Sequence, residues 1–177
     1  MSSASHPLVT LARNSIDEYV RRGTRAATPQ AAEYAPYLRA RAGAFVSIHK
    51  RNGELRGCVG TFMPTRANLA DEVIENAIAA ATRDPRFYPM QAQELGDLEL
   101  SVDVLSEPEA IDSISELDPQ LYGVIVSDRE GMRRGLLLPM LDQVKTAEQQ
   151  VAIAKQKAYI GADESVQLWR FRVQRFH

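Results

Sequence analysis

The spacing of apolar residues along the chain predicts three helices. Over residues 8–20 an apolar side chain recurs every three or four positions, and Gly23 stands where such an amphipathic helix would end. A second stripe of this kind covers residues 69–82, with Asn68 as the expected N-cap. A looser stripe over residues 142–159 predicts the third helix.

Alternation with a period of two predicts the strands. Residues 44–49 and 55–62 are strand-like, and Asn52-Gly53 between them is the signal of a tight hairpin. Residues 99–105 alternate between an apolar face and a polar face that carries Glu99, Ser101 and Asp103. Further strands are expected at 123–127 and 165–176. Tight turns between strands, with helices inserted between hairpins, predict an α+β fold in which a mainly antiparallel sheet is flanked by helices.

The hairpin has a predicted register that sorts its side chains onto two faces. A two-residue loop at Asn52-Gly53 places Ser47 opposite Cys58 and His49 opposite Arg56. One face then reads as core and holds Val46, Ile48, Leu55 and Val59, with a gap at Gly57. The other face is polar and holds Ser47, His49, Arg56 and Cys58.

Composition narrows the function classes. The chain has 177 residues, a net charge of −2 and a pI near 5.9, so it lacks the basic surface typical of nucleic-acid binding. No apolar run approaches the ~20 residues that span a bilayer, and residues 1–6 lack the features of a secretory signal. The single cysteine fits a reducing cytoplasm. The three histidines lack metal-ligand spacing, so neither a metal nor a cofactor is predicted.

Cys58 is the centre of the candidate chemistry, and three interpretations stay open. As a reactive thiol it would be a thiolate nucleophile stabilised by Arg56 and by protonated His49. Alternatively, the face around it binds a ligand without covalent chemistry, with the backbone near Gly57 and Gly60 approaching that ligand closely. In the third interpretation Cys58 is a buried structural residue, as free cysteines often are.

Three further charged residues are candidates for binding. Asp84 and Arg86 would form a substrate clamp, with Arg86 gripping a carboxylate or phosphate, or else an ion pair that holds the loop after the helix. Arg134 is either a binding residue or surface charge. If Arg56, Arg86 and Arg134 converge, they would define an anion pocket around Cys58.

The segment Leu55-Arg-Gly-Cys-Val-Gly-Thr-Phe62 closely resembles the hallmark motif of the AMMECR domain, the family named as protein A of the AmmeMemoRadiSam system. Asp84-Pro-Arg-Phe87 and Arg134-Gly-Leu-Leu-Leu-Pro139 match in the expected order, and the resemblance predicts a single domain over residues 8–176. It implies a fold of two intimately packed lobes and an association with a radical SAM protein and a Memo-type protein. It implies no specific reaction.

The chain also departs from the family pattern. Met140 stands where a glutamine is common, Tyr159 where a glycine is usual, and Asp103 where a serine is more usual. His49 replaces a lysine or another polar residue, which argues against an essential histidine base at that position.

Two functional hypotheses follow. The first is an accessory or small-ligand-binding module that presents a Cys/Arg pocket to a small acidic ligand and works with radical SAM and Memo-type partners. The alternative is a thiol-dependent enzyme that uses Cys58 on a small acidic substrate. Whether the protein is an enzyme, and whether it forms a homodimer, the sequence leaves open.

Overall fold

The computed structural model describes residues 5–177, which form two compact units. The first unit extends to Val104 and also takes in Gln174–His177, and the second is Leu105–Val173. Each unit contains one four-stranded antiparallel sheet flanked by helices, so the predicted α+β class is confirmed.

The helices are α1 (Pro7–Arg22), α2 (Ala35–Arg39), α3 (Leu69–Thr82) and α4 (Ala147–Lys157), with short 3₁₀ helices at Ala32–Tyr34, Ala92–Asp97 and Ile114–Glu116. The strands are β1 (Ala44–Lys50), β2 (Leu55–Thr61), β3 (Leu98–Leu105), β4 (Glu109–Ile111), β5 (Gly123–Ser127), β6 (Arg134–Leu137), β7 (Gln167–Phe171) and β8 (Val173–Phe176). The first sheet has the order β2-β1-β3-β8 and the second β4-β7-β5-β6.

The two long helices of the first unit begin and end where their sequence signals predict. Gly23 closes α1 in the left-handed conformation, with φ of 70°, and its N–H donates to the carbonyl of Tyr19. The Oδ1 of Asn68 accepts the N–H of Asp71 at the start of α3. The helix predicted over residues 69–82 is therefore confirmed at both ends.

The core of the first unit lies where α3 packs on β1 and β2 and α1 packs on α3. Burying each large aliphatic side chain here contributes roughly 1.5–3 kcal/mol. The fully buried members include Leu8, Ile16, Val46, Ile48, Val73 and Ile74.

The hairpin register is confirmed along most of its length and wrong next to the turn. Ser47 faces Cys58 as predicted, but His49 faces Leu55 instead of Arg56 because β2 contains one extra residue in a β-bulge. The bulge reverses the alternation at this end of the strand. Leu55 thereby joins the face of Ser47 and Cys58, and Arg56 is buried elsewhere.

In the second unit α4 packs against β5 and β6. This helix begins at Ala147, later than predicted, because Thr146 and Gln149 form a capping box that fixes its first turn. The last predicted strand, 165–176, is two strands: β7 belongs to the second sheet and β8 to the first.

Helix α4 ends in a backbone conformation that suits glycine better than the residue present. The N–H of Ile160 donates to the carbonyl of Lys155, and Tyr159 between them has a φ of 57°. This is a Schellman ending, whose left-handed position glycine normally occupies. The Tyr159 side chain is 89% exposed, so burial does not offset the strain.

We therefore expect Tyr159→Gly to raise the free energy of unfolding by ~0.5–1 kcal/mol, because glycine adopts this φ without a Cβ clash. Urea unfolding followed by circular dichroism measures the change. Tyr159→Ala is the matched control, since it removes the same ring but keeps the Cβ. Equal stability of the glycine and alanine variants would contradict the strain at this position.

Candidate functional site

A groove of about 430 Å³ opens on the polar face of the first sheet. Its floor comes from β2, β1 and β3, which place their side chains in two rows because paired residues lie side by side across the strands. The first row is Cys58, Ser47 and Ser101, and the second is Leu55, His49 and Glu99. Arg86 and Arg175 also line the groove.

Cys58 contacts a hydroxyl group and not an imidazole. Its Sγ lies 3.2 Å from the Oγ of Ser47, and the thiol is half-buried. His49 follows Ser47 by two residues on the same strand, so its Cβ is diagonal to Cys58 at ~7–8 Å. Within the described chain Cys58 and His49 form no hydrogen bond. The groove thus gathers a thiol, hydroxyls and a histidine without assembling a nucleophile–base pair.

The backbone of Cys58 is held by the two charged residues of the Asp84-Pro85-Arg86 turn. β2 is an edge strand of its sheet, which leaves outward-pointing peptide groups to be satisfied. The Oδ2 of Asp84 accepts the N–H of Cys58 at 2.9 Å, and the Nη2 of Arg86 donates to the Cys58 carbonyl at 3.3 Å. Together the two side chains take the place of a neighbouring strand.

Asp84 and Arg86 also pair with each other in a bidentate arrangement. The Nε of Arg86 donates to Oδ1 at 2.9 Å and its Nη2 to Oδ2 at 2.7 Å. These bonds from Arg86, with the Cys58 N–H adding to them, hold the pKa of Asp84 well below its usual range although burial acts in the opposite direction. The Asp84 side chain is only 3% exposed. Asp84 therefore positions Cys58 and Arg86 and does not line the groove.

Arg175, which the sequence did not single out, is the second guanidinium in the groove. Its Nε and Nη2 each donate to Asp103 at 2.7 Å. The polar face of β3 is less exposed than its sequence suggests, because Asp103 and Ser101 are both buried. Arg175 covers Asp103, and Ser101 lies on the floor of the groove. The available signal was Asp103 itself, since a carboxylate within an alternating apolar strand requires a cationic partner when it is buried.

Arg56 does not join Arg86 at the groove. The side chain of Arg56 is 10% exposed and binds Glu94 through Nε at 2.6 Å, and it also donates to the Tyr88 carbonyl at 3.1 Å. Its remaining nitrogen, Nη1, is buried and makes no hydrogen bond to residues 5–177. Arg134 belongs to the second unit, where its guanidinium lies 5.9 Å from the centre of the Trp169 ring. Of the two predicted arginines that belong to the first unit, Arg86 lines the groove and Arg56 does not.

Gly57 has a packing reason to lack a side chain. A Cβ at this position would collide with the carbonyl of Ala80 on α3. The glycine therefore lets the helix approach β2 closely, on the side of the strand that faces α3. The expected approach of a ligand to Gly57 is not what the structure shows at this residue.

Two other classes of function, metal binding and membrane insertion, find no support in the part of the chain that the structure describes. In residues 5–177 no group of three histidine, cysteine or acidic side chains is arranged to hold a metal ion. None of the helices among these residues has both the length and the apolar character needed to cross a membrane.

Comparison with known proteins gives concordant matches along almost the whole chain. The AMMECR1 family model matches residues 9–176. A protein of Thermotoga maritima is 51% identical over 172 residues, which is 97% of each chain. A protein of Clostridium acetobutylicum is 44% identical over 171 residues, covering 96% of this chain but 35% of that protein. The crystal structure of the uncharacterized protein PH0010 from Pyrococcus horikoshii superposes with a TM-score of 0.82 at 31% identity, covering 97% of this chain and 89% of that one.

We expect Asp84→Asn to lower the free energy of unfolding by ~2–4 kcal/mol at pH 7, because it weakens charge-assisted hydrogen bonds to a buried carboxylate. The folded-state pKa of Asp84 is lowered, so its contribution is complete above the ordinary carboxyl pKa of ~3.9 and is lost as pH falls towards the folded-state value. The difference between wild type and variant should therefore shrink by ~1 kcal/mol between pH 7 and pH 3.

Urea unfolding at pH 7, 5 and 3 measures this dependence. Asp17→Asn is the control, because Asp17 makes an exposed ion pair with Arg21 and should change stability by less than ~0.5 kcal/mol. A difference at Asp84 that stays constant or grows towards pH 3 would show that its carboxylate is not preferentially ionised in the folded state.

Proposed function

The chain belongs to the AMMECR1 family, and we propose that it works as a small-ligand-binding or accessory module that binds a small acidic molecule in the groove at Cys58. One observation carries the proposal. Two guanidiniums from distant parts of the chain, Arg86 and Arg175, line the same groove as the thiol. The proposal takes residues 8–176 as one functional domain, in keeping with the family match over 9–176.

The free donors of the two arginines support carboxylate binding. Each guanidinium uses Nε and Nη2 on its aspartate, and within the described residues Nη1 of each makes no hydrogen bond. A guanidinium N–H is a strong donor to a carboxylate. Because Asp84 and Asp103 already hold Arg86 and Arg175 in place, binding a ligand costs little further side-chain entropy.

The proposal extends to partners and location. Membership of the family supports a radical SAM protein and a Memo-type protein as partners, in line with the association that the motif resemblance implies. A cytoplasmic location suits a free thiol that opens on a ligand groove, because reducing conditions keep such a thiol from forming disulfides.

A second candidate function is a thiol-dependent enzyme that acts on a small acidic substrate. The observation in its favour is that the Cys58 thiol opens on a groove that also carries two guanidiniums. Its weakness is the missing general base, since the side-chain partner of Cys58 is the hydroxyl of Ser47. Ligand binding without covalent chemistry therefore accounts better for the geometry.

We expect at least one small carboxylate among butyrate, succinate and N-acetylglycine to raise the thermal unfolding midpoint of the protein. Arg175→Lys should weaken that binding roughly tenfold, because lysine cannot hold Asp103 and donate to the ligand with the same fixed geometry. Isothermal titration calorimetry gives the affinities, and Arg21→Lys, on the exposed face of α1, is the control. If none of the three carboxylates stabilises the protein, the acidic-ligand proposal loses its support.

We expect iodoacetamide to label Cys58 in the native protein, because the thiol is half-buried and lines the groove. Mass spectrometry of the labelled protein, with and without urea, measures the accessible fraction across pH. The enzyme alternative requires a labelling rate that stays high below the ordinary cysteine pKa of ~8.5. Labelling only after unfolding would exclude that alternative.

A further inference from the structure

The positive charges in the groove are already compensated. Arg86 is paired with the carboxylate of Asp84, and Arg175 with that of Asp103, both in bidentate geometry. Glu99 also lines the groove and forms no ion pair within residues 5–177. These five side chains sum to one net negative charge, although two arginines face the site. A groove with this charge balance disfavours a polyanion. It also leaves the carboxylate of Glu99 without a cationic partner among the described residues.

Arg175 and the free carboxylate of Glu99 lie towards opposite ends of β3, and Arg86 lies across the sheet from both, beside β2. Arg86 donates to the carbonyl of Cys58, and Arg175 is bound to Asp103, which lies on β3 two residues beyond Ser101. Glu99 is on the same strand, two residues from Ser101 in the other direction. With ~5 Å between strands and ~7 Å per two residues, the Cα atoms of Glu99 and Cys58 are ~12 Å apart. A ligand that reaches both positions must therefore carry its two charges several bonds apart.

A polar group without a partner lies between these two ends. Ser101 is only 8% exposed, it lines the groove, and its Oγ makes no hydrogen bond to the described residues. Its Oγ is open to the groove, where it is free to donate a hydrogen bond to a ligand. Ser101 is suited to bind a neutral polar group, such as a carbonyl, in the middle of the ligand.

We propose that the groove binds a small zwitterion of about dipeptide size. Its carboxylate would take a free Nη1 donor of Arg86 or Arg175, its ammonium group would pair with Glu99, and a carbonyl between them would accept from Ser101. The groove volume of about 430 Å³ accommodates a molecule of this size, and Leu55 on the floor offers an apolar contact. The inference rests on the proposed function and specifies the class of its ligand.

Three related probes distinguish how much each of the two charges contributes to binding. Glycylleucine carries both an ammonium and a carboxylate, N-acetyl-glycylleucine keeps only the carboxylate, and glycylleucinamide keeps only the ammonium. We expect calorimetric titration of the full chain at pH 7 to show glycylleucine binding at least ~10-fold more tightly than either blocked form, because each lost ion pair leaves a partner unsatisfied. Inorganic phosphate should bind more weakly than glycylleucine.

A substitution assigns the ammonium site. Glu99→Gln should weaken glycylleucine binding roughly tenfold and leave N-acetyl-glycylleucine unaffected, because only the first probe carries the cation that Glu99 would bind. Glu99 is exposed, so the variant should fold normally. Glu33→Gln, at another exposed glutamate, is the matched control and should change neither affinity.

The outcomes distinguish this inference from the proposed function. Equal binding of glycylleucine and its N-acetyl form, or tighter binding of phosphate, would overturn the zwitterion while leaving an acidic ligand in place. No binding of the dipeptide, of its blocked forms or of the simple carboxylates would overturn both. An unchanged affinity of glycylleucine for Glu99→Gln would remove the assigned ammonium site and with it the inference.

Discussion

The hydrogen bonds between Asp84, Arg86 and the peptide groups of Cys58 are the constraint on which the site depends. They provide hydrogen-bond partners for the backbone N–H and C=O of Cys58, which would otherwise be open on the edge strand β2. Because these partners are side chains, no further strand can pair with β2 at this position. The same contacts tie the segment after α3 to the sheet. They also fix the positions of Cys58 and of the Arg86 guanidinium, because Asp84 accepts from the backbone N–H of Cys58 and from the guanidinium.

Two ion pairs hold the arginine side chains of the groove in place and also lower its net charge. Each arginine is oriented by a buried aspartate, so the donors are positioned before any ligand arrives. The same aspartates cancel the field that would attract a strongly charged anion from a distance. If the groove binds a ligand as proposed, shape and hydrogen-bond geometry would determine its selectivity, and long-range electrostatic attraction would contribute little.

Local signals in the sequence predicted the elements well, whereas the composition of the site depends on contacts between distant residues. The α3 helix and the Ser47–Cys58 pairing follow from capping residues and hairpin geometry, which act within a few positions. The bulge beside Arg56 moved one predicted binding residue out of the site and replaced it with Leu55, because a single extra residue reverses strand alternation. Asp103 signals that a cationic partner is needed, but no local signal identifies that partner as Arg175, which lies 72 positions later.

That separation has a consequence for synthesis on the ribosome. The sheet of the first unit receives its fourth strand, β8, only after the entire second unit has been translated, because Leu105–Val173 is inserted between β3 and β8. A nascent chain that ends at Val104 contains Cys58, Arg86 and the unpaired carboxylate of Asp103, but not the arginine that neutralises it. The groove is therefore completed only after Arg175 has been translated, so the ion pair between Asp103 and Arg175 cannot form before the whole second unit has been synthesised.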